Sequence, residues 1–400
     1  MAEWITKTLG ELTSFISKGV PPKYVDEEND DTIRVLNQKC NRNFEISYNE
    51  SRIHNAVAKK VPENKLLHNG DVLINSTGTG TAGRVAQIFN VTVPTTVDGH
   101  MILLRPTEEI ESLYYGYAIK SYQKKIESLA EGSTGQTEIN RQRLQDEIYI
   151  TFPKDRALQK AIGTFLYQID EKFKQNTEIN NNLLEQVLAI YRHHFVDTTN
   201  ELRQTCRADE YFDISIGKTP PRKESQWFST NPKDVTWVSI SDMGTCGLYI
   251  SESSEQLTKE AVDRHNVKIV PDNTVLLSFK LTVGRIAITD GEMTTNEAIA
   301  HFKTDKKEIN EYLYCYLKCF NYQTMGSTSS IATAVNSKII KGMPFIVPTD
   351  EEITEFHSLA APMFAKIKAN QAEIRNLTSL RDTLLPKLMN GELDVSDIDL

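Results

Sequence analysis

Residues Gly78-Thr79-Gly80-Thr81-Ala82-Gly83 spell G-x-G-x-x-G directly after the strand-like run "DVLIN", and Asp98 follows at a distance suited to a ribose hydroxyl. In a dinucleotide-binding unit such glycines make a tight turn, and the pyrophosphate rests on the N-terminus of the helix that follows. Here Gly83 is followed by "RVAQIFNVTVPTTV", rich in β-branched residues and containing Pro94, which predicts a second strand instead. The loop is therefore not expected to hold a cofactor.

A second copy of the segment points the same way. "VLINSTGTGTAGRVA" at Val72 returns as "VLLSFKLTVGRIA" at Val275, which lacks the first two glycines and keeps Gly284-Arg285. Thr77, Thr79, Thr81 and Arg84 in one loop, and Lys280, Thr282 and Arg285 in the other, supply hydroxyl, ammonium and guanidinium donors. Such groups bind phosphates and base edges. The pattern equally suits a plain β-hairpin whose glycines serve the turn and whose arginine lies on the sheet, and both readings stay open.

The duplication extends along the chain with a spacing near two hundred residues. "FISKGVPPK", containing Lys18 and Lys23, corresponds to "DISIGKTPPR", containing Lys218 and Arg222. "DTIRVLN" at Asp31 corresponds to "VTWVSIS" at Val235, and "PTTVDG" at Pro94 to "MTTNEA" at Met293. "STGQTEINRQRLQDEIYITFP" at Ser133 corresponds to "STSSIATAVNSKIIKGMPFIVP" at Ser327. These last segments add Ser133, Thr134, Gln136, Arg141, Ser327, Thr328, Ser329 and Lys338 to the candidate DNA-contacting residues, although helix capping or a solvated loop also explains them.

Each copy then passes into a long helical pattern. Ile162, Leu166, Ile169, Phe173, Asn176, Asn180, Leu183, Val187 and Ile190 recur in steps of three and four, as do Phe356, Ala360, Met363, Ile367, Asn370, Ile374, Leu377, Arg381, Leu384 and Leu388. This is a heptad seam in which Asn176, Asn180 and Asn370 would fix register. A helix of nearly forty residues spans about 58 Å, more than one small domain can cover. The expected fold is α+β: two similar globular domains separated by two long antiparallel helices that form a coiled-coil spacer. The expected boundaries are 1–155 and 201–350 for the domains, 156–200 and 351–390 for the helices, and 391–400 for a tail. The alternative is that each helix covers its own domain's sheet.

Composition limits the chemistry. A chain of 400 residues with 39% hydrophobic and 25% charged residues belongs to the ordinary soluble class. No apolar run reaches the roughly 18 residues of a membrane helix, and the start lacks a leader's pattern, so a cytoplasmic protein without membrane contact is expected. The five cysteines, Cys40, Cys206, Cys246, Cys315 and Cys319, contain no C-x-x-C pair, which argues against zinc and against a disulfide framework. No Walker A motif occurs. The methyltransferase signature of Asn or Asp, two prolines and an aromatic is absent: "VPPKY" and "TPPRK" lack the leading residue. "PDNTVLLSFK" places Ser278 where a nuclease needs a metal-binding carboxylate. His193-His194 stands without acidic or cysteine neighbours in sequence and fits a helix end. No catalytic residue, metal site or cofactor is expected, and a net charge of -9 lacks the footprint of a protein that grips nucleic acid unaided.

Two variable units carrying "WVSISDM" and Gly-Arg loops, a long helix ending "LEQVLAIYRHHF" and a terminal helix "NLTSLRDTLLPKLMNGELDV" together resemble the specificity subunit of type I restriction-modification systems. The resemblance covers the whole chain. It implies a non-catalytic subunit in which each target-recognition domain reads one half of a bipartite double-stranded DNA sequence. The antiparallel helices would set the gap and dock two adenine-N6 methyltransferase subunits. S-adenosylmethionine, ATP and Mg would then be bound by partners, including ATP-dependent restriction subunits where the complex recruits them. The competing class is a two-headed coiled-coil adaptor without DNA specificity.

Overall fold

Why the apolar runs "DVLIN" and "TVLLS" are continuous rather than alternating is explained by the layers around them. The computed structural model describes residues 3–132, 137–197, 203–325 and 335–393. The chain divides into two compact units, Met1–Phe173 with Asn376–Leu400, and Lys174–Arg375.

In the first unit, strands Thr13–Lys18, Met101–Pro106, Val72–Asn75 and Val85–Gln87 form an antiparallel sheet in that order. Successive side chains of a strand point to opposite faces. Val72 and Ile74 accordingly pack with the helix Ser112–Ser121, through Tyr114, Tyr115 and Ala118, while Leu73 packs with Leu36, Val97 and Leu103 on the other side. Both faces are covered, so no polar alternation is needed. A second sheet runs Thr95–Val97, Thr32–Leu36, Arg52–Asn55, Tyr24–Val25, with its first pair parallel. Trp4–Thr8 pairs with Tyr149–Pro153 and closes the unit.

The second unit repeats the order of both sheets, with one strand added to the first. Asp213–Ile216, Ile299–Lys303, Val275–Ser278 and Ile286–Thr289 form the equivalent sheet, extended by Tyr249–Ile250. Thr294–Thr295, Val235–Val238, Glu255–Leu257 and Phe228–Ser229 form the other, again with a parallel first pair. Thr205–Arg207 pairs with Pro344–Ile346 in place of the closing pair. Val275 and Leu277 face the helix side with Tyr312 and Leu313, and Leu276 faces Val238 and Met293. The internal repeat read from the sequence is thus a repeat of topology.

Two long helices, Arg156–Arg192 and Asp350–Met389, contribute to both units. Within the first unit, Ile162 and Leu166 share a core with Leu385, Leu388 and Met389, and Arg381 Nη1 donates to Asp170 Oδ1 at 2.8 Å. Within the second, Asn176 Nδ2 donates to Glu373 Oε2 at 2.9 Å, and Asn370 Nδ2 donates to Asn180 Oδ1 at 2.8 Å. Partners whose numbers rise along one helix as they fall along the other define an antiparallel pair. Asn176 and Asn370 are buried, and each is satisfied by a polar side chain on the facing helix. A one-turn shift would leave these amides buried without partners, at about 1–3 kcal/mol each, so they penalise other registers.

Of the other seam residues, Ile169 and Ile367 are buried, whereas Phe173, Leu183, Met363, Ile374, Leu377 and Leu384 are half-buried. The most deeply buried line of the second helix includes Phe364 and Leu385, one position after Met363 and Leu384. Those two residues face domain cores as well as the partner helix, which a strict heptad does not describe.

Candidate nucleic-acid interface

The Gly-Arg element is a hairpin in both units. Asn75 and Gly83 close the first loop through Gly83 N–H to the Asn75 carbonyl (2.9 Å), and Ser278 and Gly284 close the second (3.0 Å). Gly83 has φ +88° and Gly284 φ +89°, a region that favours glycine, and a side chain on Gly83 would strike the Glu127 backbone. The glycine recurs because the turn requires it, and the residues after Gly83 form strand Val85–Gln87 as the sequence predicts. Asp98, the acid spaced for a ribose, is buried and accepts the backbone N–H of His100. Burial holds its carboxyl above the usual carboxylate range.

The arginines of the two hairpins are held by protein. Arg84 Nη2 donates to the carbonyl of Gly80 within its own loop at 3.2 Å. Arg285 reaches into the adjoining sheet, where its Nη1 donates to the Ile240 carbonyl at 2.6 Å and its guanidinium lies against Gly244. In the first unit the equivalent carbonyl, Gln38, accepts from Asn75 Nδ2 at 3.2 Å. One position of the fold is thus tied by an amide in one copy and a guanidinium in the other. These observations favour the hairpin reading for Arg84 and Arg285, which act first on loop shape.

The other candidates divide by environment. Thr77 Oγ1 is bonded to Gln38 Nε2 and to His100 Nδ1, while Thr81 Oγ1 donates to the Thr77 carbonyl at 3.4 Å. Thr79 and Thr282 are exposed, and Lys280 is exposed with its ammonium 5.8 Å from the Phe279 ring. Lys218 Nζ donates to the His265 carbonyl at 2.6 Å. Arg222 pairs with Glu255 at 2.8 Å and stacks over Phe228 and Trp237. Lys23 is exposed, and its backbone N–H donates to His54. Lys338 is exposed in the short helix Ser337–Lys341, capped by Asn336 as Asn140 caps Arg141–Glu147. Ser133, Thr134, Gln136, Ser327, Thr328 and Ser329 lie outside the described residues.

One group does converge in the first unit. The strand after the second polar segment, Glu138–Ile139, joins the hairpin loop through Ile139 N–H to the Ser76 carbonyl (2.8 Å) and a bridge between Thr77 and Glu138. This places Arg141 beside Lys18 in a groove also lined by Glu131 and Glu138. Lys18 is ion-paired with Glu138, and Lys65 Nζ donates to the carbonyls of Lys18 (2.8 Å) and Gly19 (3.2 Å). Burial pushes the ammonium groups of Lys18 and Lys65 down, and Arg141 lowers both further. Such like charges are stabilised by an anion, and among the described residues the Arg141 guanidinium has no hydrogen-bond or ion-pair partner. Lys65 is not legible in the sequence as a neighbour of Lys18 because the two lie 47 residues apart, although the repeat gives Lys65 a counterpart in Lys268, seven residues before Val275 as Lys65 is before Val72.

Among the described residues no group of three His, Cys, Asp or Glu could hold a metal, and no helix is long and apolar enough to cross a membrane. Comparison with known proteins gives a consistent answer. The family model described as "Type I restriction modification DNA specificity domain" matches twice, over residues 1–186 and 201–374. The chain is 25% identical to the type I restriction enzyme MjaIX specificity subunit of Methanocaldococcus jannaschii, over 99% of this chain and 95% of that one. It is 28% identical to the HindI specificity subunit of Haemophilus influenzae over 45% of this chain and 39% of that protein. In fold it is similar to the type I restriction-modification S subunit from M. genitalium, with a TM-score of 0.58 and 16% identity over 97% of this chain and 96% of that one.

Proposed function

The chain belongs to the type I restriction-modification DNA specificity family, and we propose that each of its two target-recognition domains reads one half of a bipartite duplex target. The observation that carries the reading is the duplicated topology, in which each unit presents a donor-bearing hairpin on the same strand pair. Two similar readers in one chain match two short sequences rather than one long one. The long helices are proposed to set the unspecified gap and to dock two adenine-N6 methyltransferase subunits. S-adenosylmethionine, ATP and Mg belong to those partners and to ATP-dependent restriction subunits, in the cytoplasm, and this chain contributes recognition without catalysis. A net charge of -9 suits a reader whose partners supply much of the phosphate grip.

The helix role has its own test. Four residues inserted in each long helix, after Phe173 and after Arg375, add about 6 Å to the pair at 1.5 Å per residue, close to two base pairs of duplex. The methylated motif is expected to gain about two unspecified base pairs while both half-sites stay the same. A changed half-site with an unchanged gap would refute the spacer role.

A further inference from the structure

The second unit's hairpin ends in a residue that the donor-based reading passes over. Leu281 is fully exposed, at 101% of its reference area, and has φ +61°, a conformation that leucine rarely adopts. Thr282 N–H donates to the Lys280 carbonyl at 2.6 Å, so Leu281 is the central residue of a γ-turn of the rare, strained sense. The turn is braced from below. Ser278 Oγ donates to the Thr282 carbonyl at 2.6 Å and accepts the Arg285 backbone N–H at 3.0 Å, while Phe279 N–H donates to the Ala298 carbonyl at 2.9 Å. A braced tip that forces an isobutyl group into water gains nothing for the folded chain, because glycine or asparagine would suit the backbone better and expose no apolar surface. The corresponding hairpin of the first unit has such a residue: Gly80, at φ +71°, with open space around it. Strain of this kind persists where the side chain is used.

We propose that Leu281 is an apolar base-reading residue, whose side chain contacts a thymine methyl group in the half-site bound by the second unit. The inference rests on the DNA-reading function proposed above. Lys280 and Thr282 flank the leucine and are exposed, so the tip presents an apolar point between an ammonium and a hydroxyl. That combination matches the major-groove edge of an A·T pair, where the thymine methyl lies beside hydrogen-bonding groups and near the phosphate backbone. The first unit, with a bare glycine at its tip, would allow close backbone approach and no methyl contact.

The test uses the full-length chain in complex with its methyltransferase and duplexes carrying the methylated motif. Each thymine of the second half-site is replaced in turn by deoxyuridine, which removes only the methyl group. One replacement is expected to weaken binding by the wild-type complex about fourfold, the loss of a single apolar group's burial. Leu281→Asn, which suits the positive φ, should weaken binding to the unmodified duplex by a similar factor and make that same replacement silent, with a melting temperature equal to or above wild type. If every deoxyuridine position affects wild type and Leu281→Asn equally, the assignment is overturned. A 2-aminopurine signal of unstacking that depends on Leu281, without deoxyuridine sensitivity, would also overturn it in favour of a wedge between bases. If the wild-type complex fails to distinguish the motif from a scrambled duplex, the DNA-reading function itself has failed.

Discussion

Replacing Asp170 with alanine is expected to destabilise the first unit by about 3 kcal/mol, the lower end of the cost of breaking a buried ion pair. Asp170 Oδ2 accepts from Tyr117 OH at 2.7 Å and Lys120 Nζ at 3.2 Å, and its other oxygen accepts from Arg381 at 2.8 Å. Arg381 retains Asp382, but Lys120, only 12% exposed, loses the one carboxylate it is ion-paired with among the described residues. The melting temperature of the unit should fall by roughly 6 °C or more.

The deficit should also depend on pH. Burial already lowers the Lys120 ammonium to about 8 from 10.5. Between those values the unfolded chain carries a proton that the folded chain has released, so this group makes stability rise with pH. Below about pH 8 the folded chain holds the charge in an unfavourable place. Without Asp170 the folded-state value falls further, and the penalty of Asp170→Ala is largest near pH 6.5 and shrinks toward pH 9.5. Thermal unfolding of wild type and variant at both pH values measures the difference. An equal deficit at the two pH values would show that Asp170 acts through Tyr117 and Arg381 and not through the charge of Lys120.

Reversing the charge of Arg141 should have the converse signature, with a large loss of binding and no loss of stability. Its guanidinium stands beside Lys18 and Lys65 and lowers both, so Arg141→Glu removes repulsion within the unit. Bound DNA would lose one cation and meet an added carboxylate. Affinity of the methyltransferase complex should drop roughly ten- to hundredfold at moderate salt, and the slope of log affinity against log salt should shrink by about one. Equilibrium binding across a salt series, with unfolding midpoints alongside, separates these effects. Unchanged binding would place the first unit's DNA surface elsewhere.

The duplication was legible because the two copies preserve order over many blocks, and every block marks a piece of local structure. Gly83 and Gly284 recur as turn residues, Asn140 and Asn336 as helix caps, and "DTIRVLN" and "VTWVSIS" as the strands Thr32–Leu36 and Val235–Val238. Helix periodicity likewise exposed the long helices, since their spacing of three and four extends over more turns than one domain covers. Side-chain roles were less legible. Arg285 reads as a free donor in sequence and is bonded to Ile240 in the fold, a contact between residues 45 apart that no local pattern encodes. Lys65 and Arg141 meet through backbone pairing of distant segments for the same reason. Leu281 escaped notice because a single leucine in a polar loop is unremarkable until its φ and exposure are known.

The most direct test of the account is a map of N6-methyladenine in DNA from cells that express this chain with its methyltransferase, before and after residues 201–350 are exchanged for those of another family member. Exchange is preferable to deletion, because Val187, Tyr191, Phe356 and Phe364 of the long helices form one core with that segment and would be left exposed. The account predicts a split motif of two short half-sites with a fixed gap, of which the exchange alters one half-site and preserves the other half and the gap. No split motif, despite a stable complex with the methyltransferase, would contradict it and leave a two-headed adaptor.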